Sequence, residues 1–330
     1  MLFRSDFVDT AYPADFALAK RILDEELGGT VPYYYVPGNH EIMGAPITNF
    51  RSVFGDTWRV FDHRGAAGGT ATRFITLDTS AGTLRGSGFE QVRMLRAALD
   101  GAAADPRIGS VVVLQHHPLR DPTPAQASQL GDRKEAALLE RWLAEFQHDS
   151  GKGVLFVGSH VGAFHADRVD GVPYLVNGNT GKNPSAAPHL GGFSGWTMFG
   201  VDPVSRAEAE RARRDPLAEG PRWVSAEVRA HVDALTVAAP PRARIGTSVP
   251  VTAALTQPGG RQVPVAAPVS ADWTGSTNLP VGGAAGLRPW HAAWFDPATG
   301  RLTALRASGS VRIAVTVNGV RAEATVALTR

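Results

Sequence analysis

An α/β layer architecture followed by an all-β tail is predicted for this chain of 330 residues, and three observations predict it. Up to about residue 200, amphipathic helical stripes alternate with short apolar runs. Two of those runs, at 110–114 and 154–157, are almost wholly aliphatic, as strands buried on both faces of a sheet require. Beyond Trp223 the helical periodicity gives way to β-rich runs separated by Pro and Gly, the pattern of a small β-sandwich. The expected division is an α/β domain over 1–204, a connector over 205–231 and a β-sandwich over 232–330.

The elements follow in order. A very short apolar segment ends at Asp6. Phe16, Ala19, Leu23 and Leu27 recur at helical spacing. The run 31–36, built from Val, Pro and three Tyr, reads as a strand that ends at Pro37-Gly38, where glycine permits an abrupt turn. A strand at 73–77 precedes a helix marked by Val92, Leu95 and Leu99. The strand at 110–114 ends at Gln115-His116-His117-Pro118. Leu138, Leu139, Trp142, Leu143 and Phe146 form the broad apolar stripe of the next helix. The strand at 154–157 ends at Gly158-Ser159-His160, and another is expected at 173–176. The Gly-, Pro-, Ser- and Ala-rich stretch 181–195 reads as a loop, and the charged stretch 205–217 as a solvated helix or connector. The tail supplies β-rich runs at 235–238, 248–255, 262–266, 291–295, 302–305, 311–317 and 322–328.

Composition narrows the function classes. The net charge is only +2, and no basic run is interleaved with aromatics, so nucleic acid is not an expected partner. Cysteine is absent, which removes disulfides, thiolate nucleophiles and zinc-thiolate sites. No stretch approaches the ~18 consecutive apolar residues of a membrane span. The first residues, Met1 to Ser5, carry no hydrophobic signal segment.

The chemistry gathers at strand ends, where α/β folds place their sites. Ser5-Asp6 with Asp9, Gly38-Asn39-His40-Glu41, Gln115-His116-His117-Pro118, and Gly158-Ser159-His160 with His165 each follow an apolar run. Asp6, Asn39, His116 and His160 offer a carboxylate, a neutral oxygen and two imidazoles, a mixed set that suits Mn, Fe, Zn or Co. A metal so held lowers the pKa of bound water and neutralises charge on a phosphoryl oxygen. His40 is placed to donate a proton to a leaving oxygen. The plainer readings are a helix cap or surface charge for Asp6, one buried and one exposed imidazole for His116-His117, and no ligand role for His165.

In their order these clusters resemble the calcineurin-like metallophosphoesterases, over about residues 1–200. That family carries D-x-H, then G-D-x-x-D, G-N-H-D/E, a His often followed by His-Pro, and G-H-x-H. Ser5-Asp6-Phe7-Val8-Asp9 is similar to the second element, with Ser5 in place of Gly. Gly38-Asn39-His40-Glu41 matches the third, His116 the fourth, and His160 the first His of the last. The resemblance implies an α/β/β/α sandwich, here lacking its first strand, a dinuclear metal centre and hydrolysis of phosphate mono- or diesters. It implies that Asp6 bridges the metals, that Asn39, His116 and His160 complete one metal's ligands, and that His40 meets the phosphate and leaving group.

Two departures fall on the other metal. D-x-H has no counterpart, and Gly162 stands where the second His of G-H-x-H is expected. One metal site is therefore expected intact and the second incomplete, with His165 and Asp9 as the weaker candidate ligands. Phe3 to Asp9 reads as the interior of a longer domain, so the natural product is expected to begin upstream of Met1, with an export signal as one form of that segment. Two functions follow from different classes: a metal-dependent phosphoesterase, or a catalytically degenerate scaffold acting as a binding or cell-surface protein. Substrate choice is expected to lie in the loops 41–57, 118–130 and 178–195. The tail, about 232–330, resembles bacterial immunoglobulin-like domains through Ala271-Asp272-Trp273 and the turn Asp296-Pro297-Ala298-Thr299-Gly300-Arg301-Leu302-Thr303-Ala304. It reads first as a packing or spacer module and second as a carbohydrate or cell-surface contact.

Overall fold

The computed structural model describes residues 6–66, 68–182, 184, 186–215, 221–307 and 309–330, and the backbone of 2–4. Ser5, at the start of the first polar cluster, lies outside the described residues, as does position 217 of the charged stretch. The chain divides into two compact units: Met1–Gly178 with Phe199–Ala226, and Asn179–Met198 with Glu227–Arg330.

The first unit is built on β1 (Leu2–Arg4), α1 (Pro13–Leu27), β2 (Tyr33–Tyr35), α2 (Thr48–Phe54), β3 (Arg59–His63), β4 (Ala71–Thr76), α3 (Leu84–Ser87) and α4 (Glu90–Ala104). It continues with β5 (Ile108–Leu114), α5 (Arg133–Ser150), β6 (Gly153–Gly158), β7 (His165–Val169) and β8 (Val172–Val176). Six strands form a mixed sheet in the order β3-β4-β5-β6-β8-β7. Its four inner strands run parallel, and β3 and β7 close the two edges antiparallel to their neighbours. β1 and β2 form a separate parallel pair.

Alternation along β5 and β6 explains their aliphatic composition. Val111, Val113, Val154 and Phe156 enter the core under α4 and α5, with Leu95, Leu99, Leu139 and Leu143. Val112, Leu114, Leu155 and Val157 enter a second core on the opposite face, with Val36, Phe74 and Trp223. Both faces are dry, and the one polar side chain on these two strands, Ser110, is buried with its hydroxyl 2.8 Å from that of Thr72 on β4. α1 and α2 bury Phe16 and Phe50 against Tyr35 in a third, aromatic core. The charged stretch forms α6 (Arg206–Arg214), capped by Ser205, whose hydroxyl accepts from the Glu208 amide while Glu208 reaches back to the Ser205 amide.

Strands β9 (Gly195–Val201) and β10 (Val224–Ala230) pair with each other, and the unit boundary falls within both. The second unit is otherwise all-β, with a three-, a four- and a three-stranded sheet. β11 (Ala234–Ala238), β14 (Thr252–Gln257) and β15 (Arg261–Pro264) form the first. β12 (Arg242–Arg244), β20 (Val320–Thr329), β19 (Ser310–Val317) and β16 (Asp272–Gly275) form the second. β13 (Ser248–Pro250), β18 (Arg301–Ala304) and β17 (Ala293–Asp296) form the third. A core that includes Phe295, Leu302, Ile313 and Val326 lies among the strands of the four-stranded sheet and of the β13-β18-β17 sheet. The run read as one strand at 248–255 is two. Pro250 has no amide hydrogen to continue a ladder, buried Val251 donates to the Gly300 carbonyl, and the chain passes from one sheet to another. The loop at 181–195 packs in this unit. Gln257 holds it, with Oε1 accepting from the Ser194 amide at 2.9 Å and Nε2 donating to the Ser194 carbonyl at 2.7 Å.

Candidate metal centre

Asp6 follows β1, Asn39 and His40 open a short 3₁₀ turn after β2, His116 follows β5, and His160 follows β6. Two of these positions are held in the left-handed region, Asp6 at φ 50° and His160 at φ 67°. Non-glycine residues adopt that conformation uncommonly, Asp and His more readily than most, and Gln126, Asp170 and Asn318 share it elsewhere in the chain. Gly38 is required by close approach. A Cβ built there would lie 2.2 Å from Asp6 Oδ1 and 2.7 Å from Cε1 and Nδ1 of His116, so the turn lets both side chains come in over its backbone.

His116 is the hub. It is fully buried, and its Nε2 stands 2.8 Å from His160 Nδ1, 3.0 Å from Asn39 Oδ1 and 3.2 Å from Asp6 Oδ2. One ring nitrogen thus faces a carboxylate oxygen, an oxygen of an amide and a second imidazole nitrogen. At most one proton can occupy Nε2, and one proton cannot serve three convergent lone pairs at full strength. A cation in their midst would serve all four groups. Donors bound at about 2.1 Å to one transition ion stand about 3 Å apart at right angles, which matches the distance of each of the three groups from His116 Nε2. In donor type and in their approach to His116, the residues present fit a divalent metal. Burial opposes ionisation of Asp6, but its hydrogen bond to His116, the charge of that ring and the His40 amide outweigh burial and bring its pKa down to about 2.

Glu41 anchors this arrangement, a role that its place in the motif did not reveal. Its side chain is wholly buried. Oε2 accepts from the Gly38 amide at 2.5 Å and the Asp6 amide at 3.3 Å; Oε1 accepts from the Tyr35 hydroxyl at 2.6 Å and the Phe7 amide at 3.1 Å. One carboxylate thereby ties the Asp6 turn to the end of β2. Burial, and then the charge of Asp6, push the Glu41 pKa up. Burial, and then the Glu41 carboxylate, push the Tyr35 hydroxyl up as well.

His40 Nδ1–H donates to the Asp9 carbonyl, 2.8 Å away, and the His40 amide donates to Asp6 Oδ1 at 3.2 Å. The Asp9 carboxylate is 96% exposed and lies 3.7 Å from His40 Nδ1, so Asp9 reaches the site through its backbone. His165 begins the edge strand β7, exposed and opposite Val176. Gly162 has φ 72°, a conformation that a histidine there would adopt only under strain.

His117 differs from the expectation of one buried and one exposed imidazole, because both members of the pair are buried. Its ring centroid lies 4.9 Å from that of His116 and 4.2 Å from that of His160. His116, His117 and His160 each offer a ring nitrogen within 4.8 Å of the others, which makes them a candidate metal cluster composed only of histidine. Burial, and then the neighbouring rings of His116 and His160, push the His117 pKa down to about 3. Strand periodicity cannot reveal this burial, since it depends on which loop covers the strand end.

No protein-family model matches the chain, and no curated protein sequence matches it. Among solved structures it is similar to the Plasmodium protein GAP50, described as the anchor in the inner membrane complex. That comparison has a TM-score of 0.44 and 13% identity, and covers 70% of this chain and 74% of the other. It is also similar to a putative 5′-nucleotidase from Staphylococcus aureus, solved in complex with alpha-ketoglutarate, with a TM-score of 0.34 and 12% identity. There 80% of this chain covers 43% of that one.

Proposed function

We propose that the first unit is a metallophosphoesterase-like scaffold that holds one divalent transition metal through Asp6, Asn39, His116 and His160. On this reading it acts as a metal-dependent binding protein for phosphate-bearing ligands rather than as a dinuclear hydrolase. The observation that carries it is the meeting of three donor groups within 3.2 Å of His116 Nε2. Support for a single metal comes from Gly162, which brings no ligand, and from His165, which is exposed on β7. Among the described residues, the one cluster of ligand spacing drawn from His, Cys, Asp and Glu contains histidine alone. When bound, the metal supplies positive charge for a phosphoryl oxygen and acidifies a water. Glu41 and Gly38 hold the donors in place, and His40 faces the ligand from the 3₁₀ turn. The second unit serves as an immunoglobulin-like packing or surface-contact module.

A second reading, hydrolysis of a phosphate mono- or diester with His40 as proton donor, is favoured by one observation. The Asp9 carbonyl fixes His40 Nδ1 at 2.8 Å, which is how an acid–base imidazole is held in one orientation. The two readings separate on one preparation of the full chain loaded with manganese or zinc. The binding reading expects near one equivalent of tight metal and no turnover of an aryl phosphate above the metal-only blank. Turnover abolished by Asn39→Ala or His116→Ala would install the hydrolase reading, and no tight metal at all would remove both.

A further inference from the structure

We propose that His117 is a further ligand of the metal, so that three imidazoles from two adjacent strand ends hold it and the centre selects zinc, nickel or cobalt over manganese and magnesium. The inference rests on the single-metal reading above and adds to it both a ligand and a metal class. Its first support is position. His117 brings a ring nitrogen within 4.8 Å of those of His116 and His160. Two nitrogens on opposite sides of one ion at about 2.1 Å stand about 4.2 Å apart, so the histidine nitrogens already lie close to the span that one ion imposes.

Its second support is the surroundings of the ring. His117 is buried, and its backbone amide donates to Thr79 Oγ1 at 3.0 Å, which fixes the backbone where the strand ends. The same hydroxyl oxygen lies 3.4 Å from His117 Nδ1. Ligating imidazoles characteristically turn their second nitrogen towards such an outer oxygen. With Nδ1–H directed at Thr79, Nε2 keeps its lone pair for a cation.

The third support is chemical. Gly162 adds no imidazole from the loop after β6, and His117 adds one from the loop after β5. The donor set becomes three nitrogens, one carboxylate oxygen and one amide oxygen. Imidazole-rich sets suit zinc, nickel and cobalt, whereas magnesium and manganese favour oxygen donors.

The test uses the full chain, stripped of metal with a chelator and titrated calorimetrically with zinc and, separately, with manganese. His117→Gln keeps the side-chain volume and loses the imidazole; Thr79→Ala tests the same ring without removing it and guards against a folding defect in the first variant. We expect zinc affinity to fall by at least the ~10–100-fold that loss of an outer-shell partner costs in His117→Gln, and manganese affinity by less than about threefold. Zinc-edge X-ray absorption should count three imidazoles in the wild type and two in His117→Gln, whereas a purely structural His117 would leave the count unchanged. An unchanged zinc affinity in His117→Gln, with binding lost in His116→Ala, overturns this inference and leaves the single-metal reading standing. A wild-type chain that takes up neither metal overturns both.

Discussion

Replacing Glu41 by alanine removes one buried carboxylate from four donors at once. The Gly38 amide and the Tyr35 hydroxyl lose this acceptor in buried surroundings, the Asp6 amide loses it where water has partial access, and the Phe7 amide loses one of two acceptors, the Tyr35 hydroxyl remaining at 3.2 Å. Each buried donor left unsatisfied costs about 1–3 kcal/mol, and each of the wetter pair about 0.5–1 kcal/mol. Against that, alanine removes the cost of burying a carboxylate beside Asp6, which offsets about 1–2 kcal/mol. The net destabilisation expected for Glu41→Ala is ~1–7 kcal/mol, with its midpoint near 4. Glu41→Gln should cost less, about 2 kcal/mol, because an amide oxygen still serves two of the four donors. Urea unfolding of the metal-free chain measures both values. Because Glu41 also fixes Asp6 and the Gly38 turn, metal affinity should fall about 10–100-fold in each variant, as for other partners that orient ligands. A Glu41→Ala chain within about 0.5 kcal/mol of wild type, the range of an ordinary surface substitution, would refute the reasoning.

Three further outcomes follow from particular contacts. Gly38→Ala puts a carbon 2.2 Å from Asp6 Oδ1, so calorimetry should show metal affinity lost, while overpacking costs about 1–3 kcal/mol in unfolding experiments. The Asp6 pKa, lowered from 3.8 to about 2, contributes stability that is present above pH 3.8 and lost as pH falls towards 2. Asp6→Asn should flatten that acid limb in metal-free unfolding curves, whereas the raised pKa of Glu41 acts with opposite sign, its stabilisation present at acid pH and lost as pH rises. Gln257→Ala removes both bonds to Ser194 and a third to the His231 carbonyl; limited proteolysis should then cut within 179–198 faster than in wild type.

The legible parts of this fold were those where one force dominates. Burial on both faces leaves a continuous aliphatic run, so β5 and β6 were readable, and the amphipathic stripes of α1, α4 and α5 marked their helices. Polar residues placed directly after such runs stand out, which is why Asp6, Asn39, His116 and His160 form a group in the sequence itself. β3 and β7 escaped notice because edge strands with exposed side chains, such as His165, Asp167 and Arg168, need no apolar alternation. α2 falls within the 41–57 stretch expected as a loop, and with only Phe50 of its seven residues buried it carries no apolar stripe. The roles of Glu41 and His117 were hidden for a different reason. Each depends on contacts between loops far apart in sequence, from Glu41 to Phe7 and from His117 to Thr79, and no local pattern encodes such a meeting.

The central claim is that one metal ion sits among Asp6, Asn39, His116 and His160. Anomalous diffraction at the zinc edge, from crystals of the full chain grown with zinc, tests it most directly. The account predicts one strong peak within bonding distance of all four side chains and no second peak of comparable height beside it. A pair of equal peaks, or a single peak elsewhere in the first unit, would contradict it.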